Sequence, residues 1–254
     1  MLGVFMTQIT DVEIEDVSLA IAAGRGVREH GPYRVQVGDE NLDYRPAVIS
    51  DPVPTGEQIL QAAGLRPVDD FILFQMLDNG LLELLSPSET TDLRHAGVEK
   101  FLAFKSDRTF RFFINGQAQD WGGQRINGRT LKRLAGVEPQ THDVYLVIVG
   151  DEDELIEDRD FFDLSRPGAE HFATVEINIT VFVNTLPKVV HARYLGYWDV
   201  VRLEYPDAEP SPNAQYTVTY SKGFEGSSLK NLVDGQYLRI KKGMHINVTP
   251  TDKS

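Results

Sequence analysis

The residue types that could do chemistry here are six histidines, one acidic run and a polar C-terminal segment. His30, His95, His142, His171, His191 and His245 are scattered along the 254 residues. None stands in a His-x-x-x-His or His-Glu-x-x-His spacing, which would turn two imidazoles toward one zinc ion. They read as strand-edge side chains. Asp151-Glu152-Asp153-Glu154, with Glu157, Asp158 and Asp160, has the carboxylate density of a calcium loop. Ile156 stands where an EF-hand needs glycine, so the run reads as a solvated loop or a charged docking surface. There is no cysteine, which excludes disulfides, thiolate metal sites and cysteine nucleophiles and leads us to expect a reducing, cytoplasmic setting. No Gly-x-Ser-x-Gly elbow or phosphate-cradling loop occurs. Gly24-Arg25-Gly26 is not a dinucleotide fingerprint, because Glu29 replaces the third glycine. The sequence therefore reads as a non-enzyme with no metal or cofactor.

The elements that carry these residues repeat. Thr55-Gly56-Glu57-Gln58-Ile59-Leu60-Gln61-Ala62-Ala63-Gly64 and Asn127-Gly128-Arg129-Thr130-Leu131-Lys132-Arg133-Leu134-Ala135-Gly136 lie 72 positions apart. Each opens on a side chain able to accept from a first-turn amide, places apolar residues at helical spacing, and stops at Ala-Gly with proline three residues on. Before each helix stands an alternating hairpin: Tyr33–Asp39 with Tyr44–Ile49, and Phe110–Gly116 with the segment to Ile126. After each come apolar strands, Asp70–Leu77 and Asp143–Gly150. A closing element follows, from Arg94 and again from Arg166, with Arg, Gly, Glu and Phe in the same order. A third, more divergent copy has strands at 179–185 and 187–193, a weaker helix over 195–203 and strands at 216–220, 234–238 and 242–248. The expected division is an N-terminal arm at 1–31, flexible or docking on a neighbouring copy, and three units at 32–105, 106–176 and 177–254.

Composition agrees with a soluble globular chain, with 41% hydrophobic and 25% charged residues. No apolar run is long enough to span a membrane and no signal peptide opens the chain. The net charge of −13 argues against a nucleic-acid partner. That charge is uneven: −3 in the arm, −6 in each of the first two units and +2 in the third.

One helix after a first hairpin, against four or five strands in about 70 residues, fits a two-layer α+β domain. The order is that of the β-grasp, or ubiquitin-like, fold. The helix–Ala-Gly–strand pattern, the recurring closing element and the final Asp234-Gly235-Gln236-Tyr237 … Lys242-Gly243-Met244-His245-Ile246-Asn247-Val248 run resemble the bacterial multiubiquitin family over residues 32–254. The resemblance implies three tandem ubiquitin-like modifier domains. It also implies an E1-like adenylating enzyme, an E2-like conjugating enzyme, a deconjugating peptidase and target proteins as partners, in anti-phage defence.

Such a modifier needs a free C-terminus that an adenylating enzyme can bring to ATP. Thr249, Pro250, Thr251, Asp252, Lys253 and Ser254 form a polar, proline-broken tail, with the Ser254 carboxylate as the activated group. There is no terminal Gly-Gly as in ubiquitin, so the activating cleft would have to accept serine. The third unit, opposite in charge to the others, would dock these partners. An alternative is a self-assembling scaffold in which tandem units and the arm build an oligomer or filament through sheet edges. In that reading Val12, Ile14, Val17 and Leu19 of the arm pack on a neighbouring copy.

Overall fold

The computed structural model describes residues 13–95, 98–210 and 215–251. The first repeat, with the segment before it, comprises β1 (Glu15–Asp16), α1 (Val17–Ala22), β2 (Tyr33–Gly38), β3 (Tyr44–Ile49), α2 (Gly56–Ala62), β4 (Phe71–Met76), β5 (Leu82–Leu85) and β6 (Lys100–Lys105). The second comprises β7 (Phe110–Ile114), β8 (Gln117–Trp121), β9 (Arg125–Asn127), α3 (Gly128–Leu134), β10 (His142–Leu146), β11 (Glu154–Ile156), β12 (Phe161–Asp163) and β13 (Glu170–Glu176). The third comprises β14 (Ile179–Val183), β15 (Leu186–Val190), β16 (Tyr194–Gly196), α4 (Tyr197–Glu204), β17 (Tyr216–Ser221), β18 (Lys230–Leu232), β19 (Tyr237–Arg239) and β20 (His245–Pro250).

Each repeat builds the same sheet. The orders are β3-β2-β6-β4-β5, β8-β7-β13-β10-β11 and β15-β14-β20-β17-β18. In every case the closing strand lies in the middle, parallel to the first strand. Parallel neighbours cannot be joined by a tight turn, so the chain must leave the sheet and return, and each helix lies on that return path. These are three tandem β-grasp repeats. Among the described residues, contacts separate two compact units: the chain up to Gly136 with Leu146–Ala173, and Val137–Tyr145 with the chain from Thr174 onward.

The helix signals act as their residues require. Thr55 Oγ1 accepts from the Gln58 N–H at 3.2 Å and Gln58 Oε1 accepts from the Thr55 N–H at 2.7 Å, a reciprocal capping box. Asn127 Oδ1 accepts from the Thr130 N–H at 2.8 Å. Gly64 and Gly136 follow the two helices at φ +75° and +69°, a left-handed conformation costly for other residues. The third helix has no such cap. There Gly196 donates its N–H to Asp199 Oδ2 at 3.0 Å, which explains the weak sequence signal. It starts two residues later than expected, because Leu195 pairs with Leu238 in a short β16–β19 ladder. A matching ladder joins β9 to β12 in the second repeat, another pairing that periodicity did not reveal.

Within the first compact unit, repeats one and two share an aromatic core. Phe104 packs edge-on against Phe74 at 5.8 Å and against Trp121 at 4.6 Å, and Trp121 is fully buried. Gln119, also buried, accepts from the Leu82 N–H and donates to the Gly80 carbonyl. The third repeat closes its own core around Val181, Val200, Ile240 and Ile246, all at 0% exposure, with Trp198 packed partly buried against it.

Two expectations are corrected. The acidic run is not wholly loop: Glu154–Ile156 is the edge strand β11, and Ile156 is buried. The segment from residue 13 to 31 is not a loose arm. Glu15 and Asp16 pair in parallel with Tyr33 and Arg34 of β2, while Val17 and Ala20 are completely buried. The buried Glu15 carboxylate holds Arg25 at 2.5 Å and Arg28 at 3.0 Å. The Tyr33 hydroxyl donates to the Arg28 carbonyl at 2.9 Å.

Candidate functional site at the C-terminal strand

β20 is the last element before the C-terminal residues, and it is held on both edges. On one side it runs antiparallel to β17 over six pairs, from Ser221↔His245 to Tyr216↔Pro250. On the other it runs parallel to β14 only at Phe182↔His245 and Val183↔Ile246, because β14 then turns at Asn184-Thr185. Beyond that point the Asn184 side chain takes over. Its Nδ2 donates to the Val248 carbonyl at 2.9 Å, and its Oδ1 accepts from the Val248 N–H at 2.9 Å. A side-chain amide thus supplies the backbone rung that the departing strand no longer can. Asn184 sits at φ +45°, a region asparagine tolerates better than most residues.

The expected tail is shorter than the sequence implied. Thr249 and Pro250 lie in β20 itself, opposite Thr217 and Tyr216. Thr251 donates its N–H to the Gln215 carbonyl at 2.7 Å, and its hydroxyl lies 3.0 Å from that of Thr217. Proline is tolerable here because it ends the strand. Asp252, Lys253 and Ser254 lie outside the described residues.

The docking residues proposed for the arm separate. Val17 is spent on the first repeat's own core and cannot serve a neighbour. Ile14 and Leu19 remain exposed, at 37% and 66%. Val12 lies outside the described residues. The histidines serve different neighbours: His171 stacks on Phe113 at 4.5 Å, His245 packs on Phe182 at 5.1 Å, and His191 faces Glu176 at 3.8 Å. At the start of β20, His245 Nε2 lies 3.1 Å from Lys222 Nζ.

A three-fold β-grasp array with an identical strand order in each copy is decided further by a comparison of sequences. The multiubiquitin family matches at residues 40–106, 110–176 and 179–252, one match per repeat. The chain belongs to the multiubiquitin family. Comparison with functionally curated proteins gave no match. Family membership makes this a ubiquitin-like fold. Sequence reasoning located its last strand but missed Asn184, whose role is not visible until the turn is seen to leave Val248 without a partner on the β14 side. The Asn-Thr pair at a hairpin tip was the available signal.

Proposed function

We propose that this multiubiquitin is a protein modifier: its C-terminal carboxylate, that of Ser254 in this sequence, is adenylated by an E1-like enzyme. An E2-like enzyme then attaches it to target proteins, and a peptidase removes it. The chain itself is the substrate of this chemistry, not its catalyst. One observation carries the reading. The strand that leads to the C-terminus is the central strand of the last repeat, anchored on both sides as far as Val248. Past the β14–β15 turn the chain keeps β17 beside it, and a cleft can close on its other edge. Adenylation puts the carboxylate oxygen on the α-phosphate of ATP and releases pyrophosphate, and a nucleophile of the enzyme then displaces AMP. Both steps need the last residues drawn away from the fold. A role in anti-phage defence follows from the same family reading.

The test is ATP-dependent pyrophosphate release with an E1-like partner, comparing wild type with a chain lacking Lys253 and Ser254. Release by wild type alone supports the proposal; equal release from both sinks it. The scaffold alternative retains Ile14, Leu19 and the outer sheet strands β3, β11, β15 and β18 as surfaces, while β5 and β8 are occupied by one another. Without Val17, the arm is a poor driver of assembly. A large particle by light scattering, with no adduct formed, would favour the scaffold.

A further inference from the structure

Lys222 of the third repeat stands where a lysine is costly, against a group that can take its proton. It follows β17 directly, is exposed, and sits at φ +58°. Glycine or asparagine would take that left-handed backbone more readily, and strain of this kind concentrates at functional positions. Its Nζ lies 3.1 Å from Nε2 of His245, the residue that pairs with Ser221 at the start of β20. An ammonium has donors and no acceptor, so the imidazole accepts here and carries its own proton on Nδ1. The Phe182 ring packs on that imidazole, with centroids 5.1 Å apart, and fixes one of its faces. Lys105, Lys132 and Lys230 are paired instead with Asp70, Asp158 and Glu225. A carboxylate holds an amine in its charged, unreactive form, whereas a neutral imidazole can accept its proton.

We propose that Lys222 is an acceptor for the activated C-terminal carbonyl of a second copy, so that the protein links into chains. Lys222 gives one proton to His245 Nε2, and its freed lone pair forms a C–N bond to the acyl carbon. The bond from that carbon to the enzyme's nucleophile breaks, and the second amine proton leaves with the nucleophile. An amide remains. The acyl donor rests on the modifier reading; the choice of lysine does not.

That donor must be another molecule. Pro250 stands five residues beyond His245 on β20, about 17 Å away at ordinary strand rise. Thr251 is tied to the Gln215 carbonyl at that far end. The three residues from there to Ser254 reach at most about 11 Å. The Ser254 carboxylate therefore falls short of the Lys222 in its own chain. Because acceptor and donor lie at opposite ends of one strand, a copy can accept at one end and donate from the other.

The experiment pairs a donor that cannot accept, full-length Lys222→Arg, with an acceptor that cannot donate, the chain lacking Lys253 and Ser254. Both are mixed with ATP and the E1-like and E2-like enzymes, with no target protein present. A covalent dimer is expected, with its branched peptide at Lys222 by tandem mass spectrometry. Adding Lys222→Asn to the acceptor should abolish the dimer. Asparagine suits φ +58°, so circular dichroism and melting should stay as in the parent. His245→Gln in the acceptor offers the amine an oxygen but no base, and should slow dimer formation about 100-fold. A branch spread evenly over other lysines, a dimer unaffected by Lys222→Asn or His245→Gln, or pyrophosphate release by the donor without any dimer would overturn the proposal. A donor that releases no pyrophosphate would sink the modifier reading itself, and this proposal with it.

Discussion

Replacing Asn184 with glycine removes the rung that holds the C-terminal strand and leaves the turn otherwise intact. Two hydrogen bonds to Val248 disappear, both at 2.9 Å and partly buried. At about 1 kcal/mol each this amounts to about 2 kcal/mol. Glycine adds freedom to the unfolded chain but relieves the left-handed strain at φ +45°, and these effects, each about 1 kcal/mol, oppose one another. The net loss stays near 2 kcal/mol, which accelerates local opening about 30-fold. Amide hydrogen exchange reads it directly: Val248 should exchange about 30-fold faster, while Val181 in the middle of β14 should change little. Asn184→Asp is a useful companion, because it keeps the acceptor for the Val248 N–H but sets a carboxylate against the Val248 carbonyl. It should be at least as damaging as glycine. Unchanged exchange at Val248 in both variants would refute the claim that this side chain anchors the strand.

Gly56 and Gly128, also 72 positions apart, lie where a Cβ would come 2.6 Å from the Ser86 carbonyl oxygen and 2.4 Å from that of Glu157. Alanine at either should cost about 1–3 kcal/mol in urea unfolding, since backbone cannot move aside cheaply. Arg193→Gln should destabilise the third repeat by about 3 kcal/mol in a calorimetric scan. It strands the Asp143 carboxylate, which is 8% exposed and now paired with Arg193 at 2.7 Å. Val17→Ala should cost about 2 kcal/mol and speed proteolysis within residues 24–31, showing that this segment belongs to the first repeat. The Arg94 guanidinium, hydrogen-bonded to Asp92, holds its carboxyl down at about 2 against an ordinary 3.8. A depressed carboxylate contributes stability above its unfolded value and loses it as the proton returns. Acid titration should thus show a loss between about pH 3.8 and 2 that Asp92→Asn abolishes.

What was legible in the sequence was whatever local chemistry encodes. Thr55, Asn127, Gly64 and Gly136 announced two helices because caps and left-handed stops act within a few residues. Their equal spacing announced the repeat. Pairing between distant segments was not legible. The β9–β12 and β16–β19 ladders join strands of three residues, too short for any period to register. Ile156 was masked by its acidic neighbours, although an apolar pair, Leu155-Ile156, in such a run is a sign of burial. The alternation around Val17 was readable, but the surface it packs against was not. At the candidate site, Thr249 and Pro250 looked like tail by composition. They are held instead by β17, whose register extends to Pro250. Asn184 carried only the weak signal of a hairpin tip.

The central claim is that chemistry occurs at the carboxylate beyond β20. The most direct measurement is tandem mass spectrometry of the products formed with ATP, the E1-like and E2-like enzymes and a target protein. The modifier reading predicts a branched peptide in which the residues after Thr251 end in Ser254 and are joined through its carbonyl carbon to a target side chain. Conjugates joined through any other residue, or formed equally by a chain lacking Lys253 and Ser254, would contradict it.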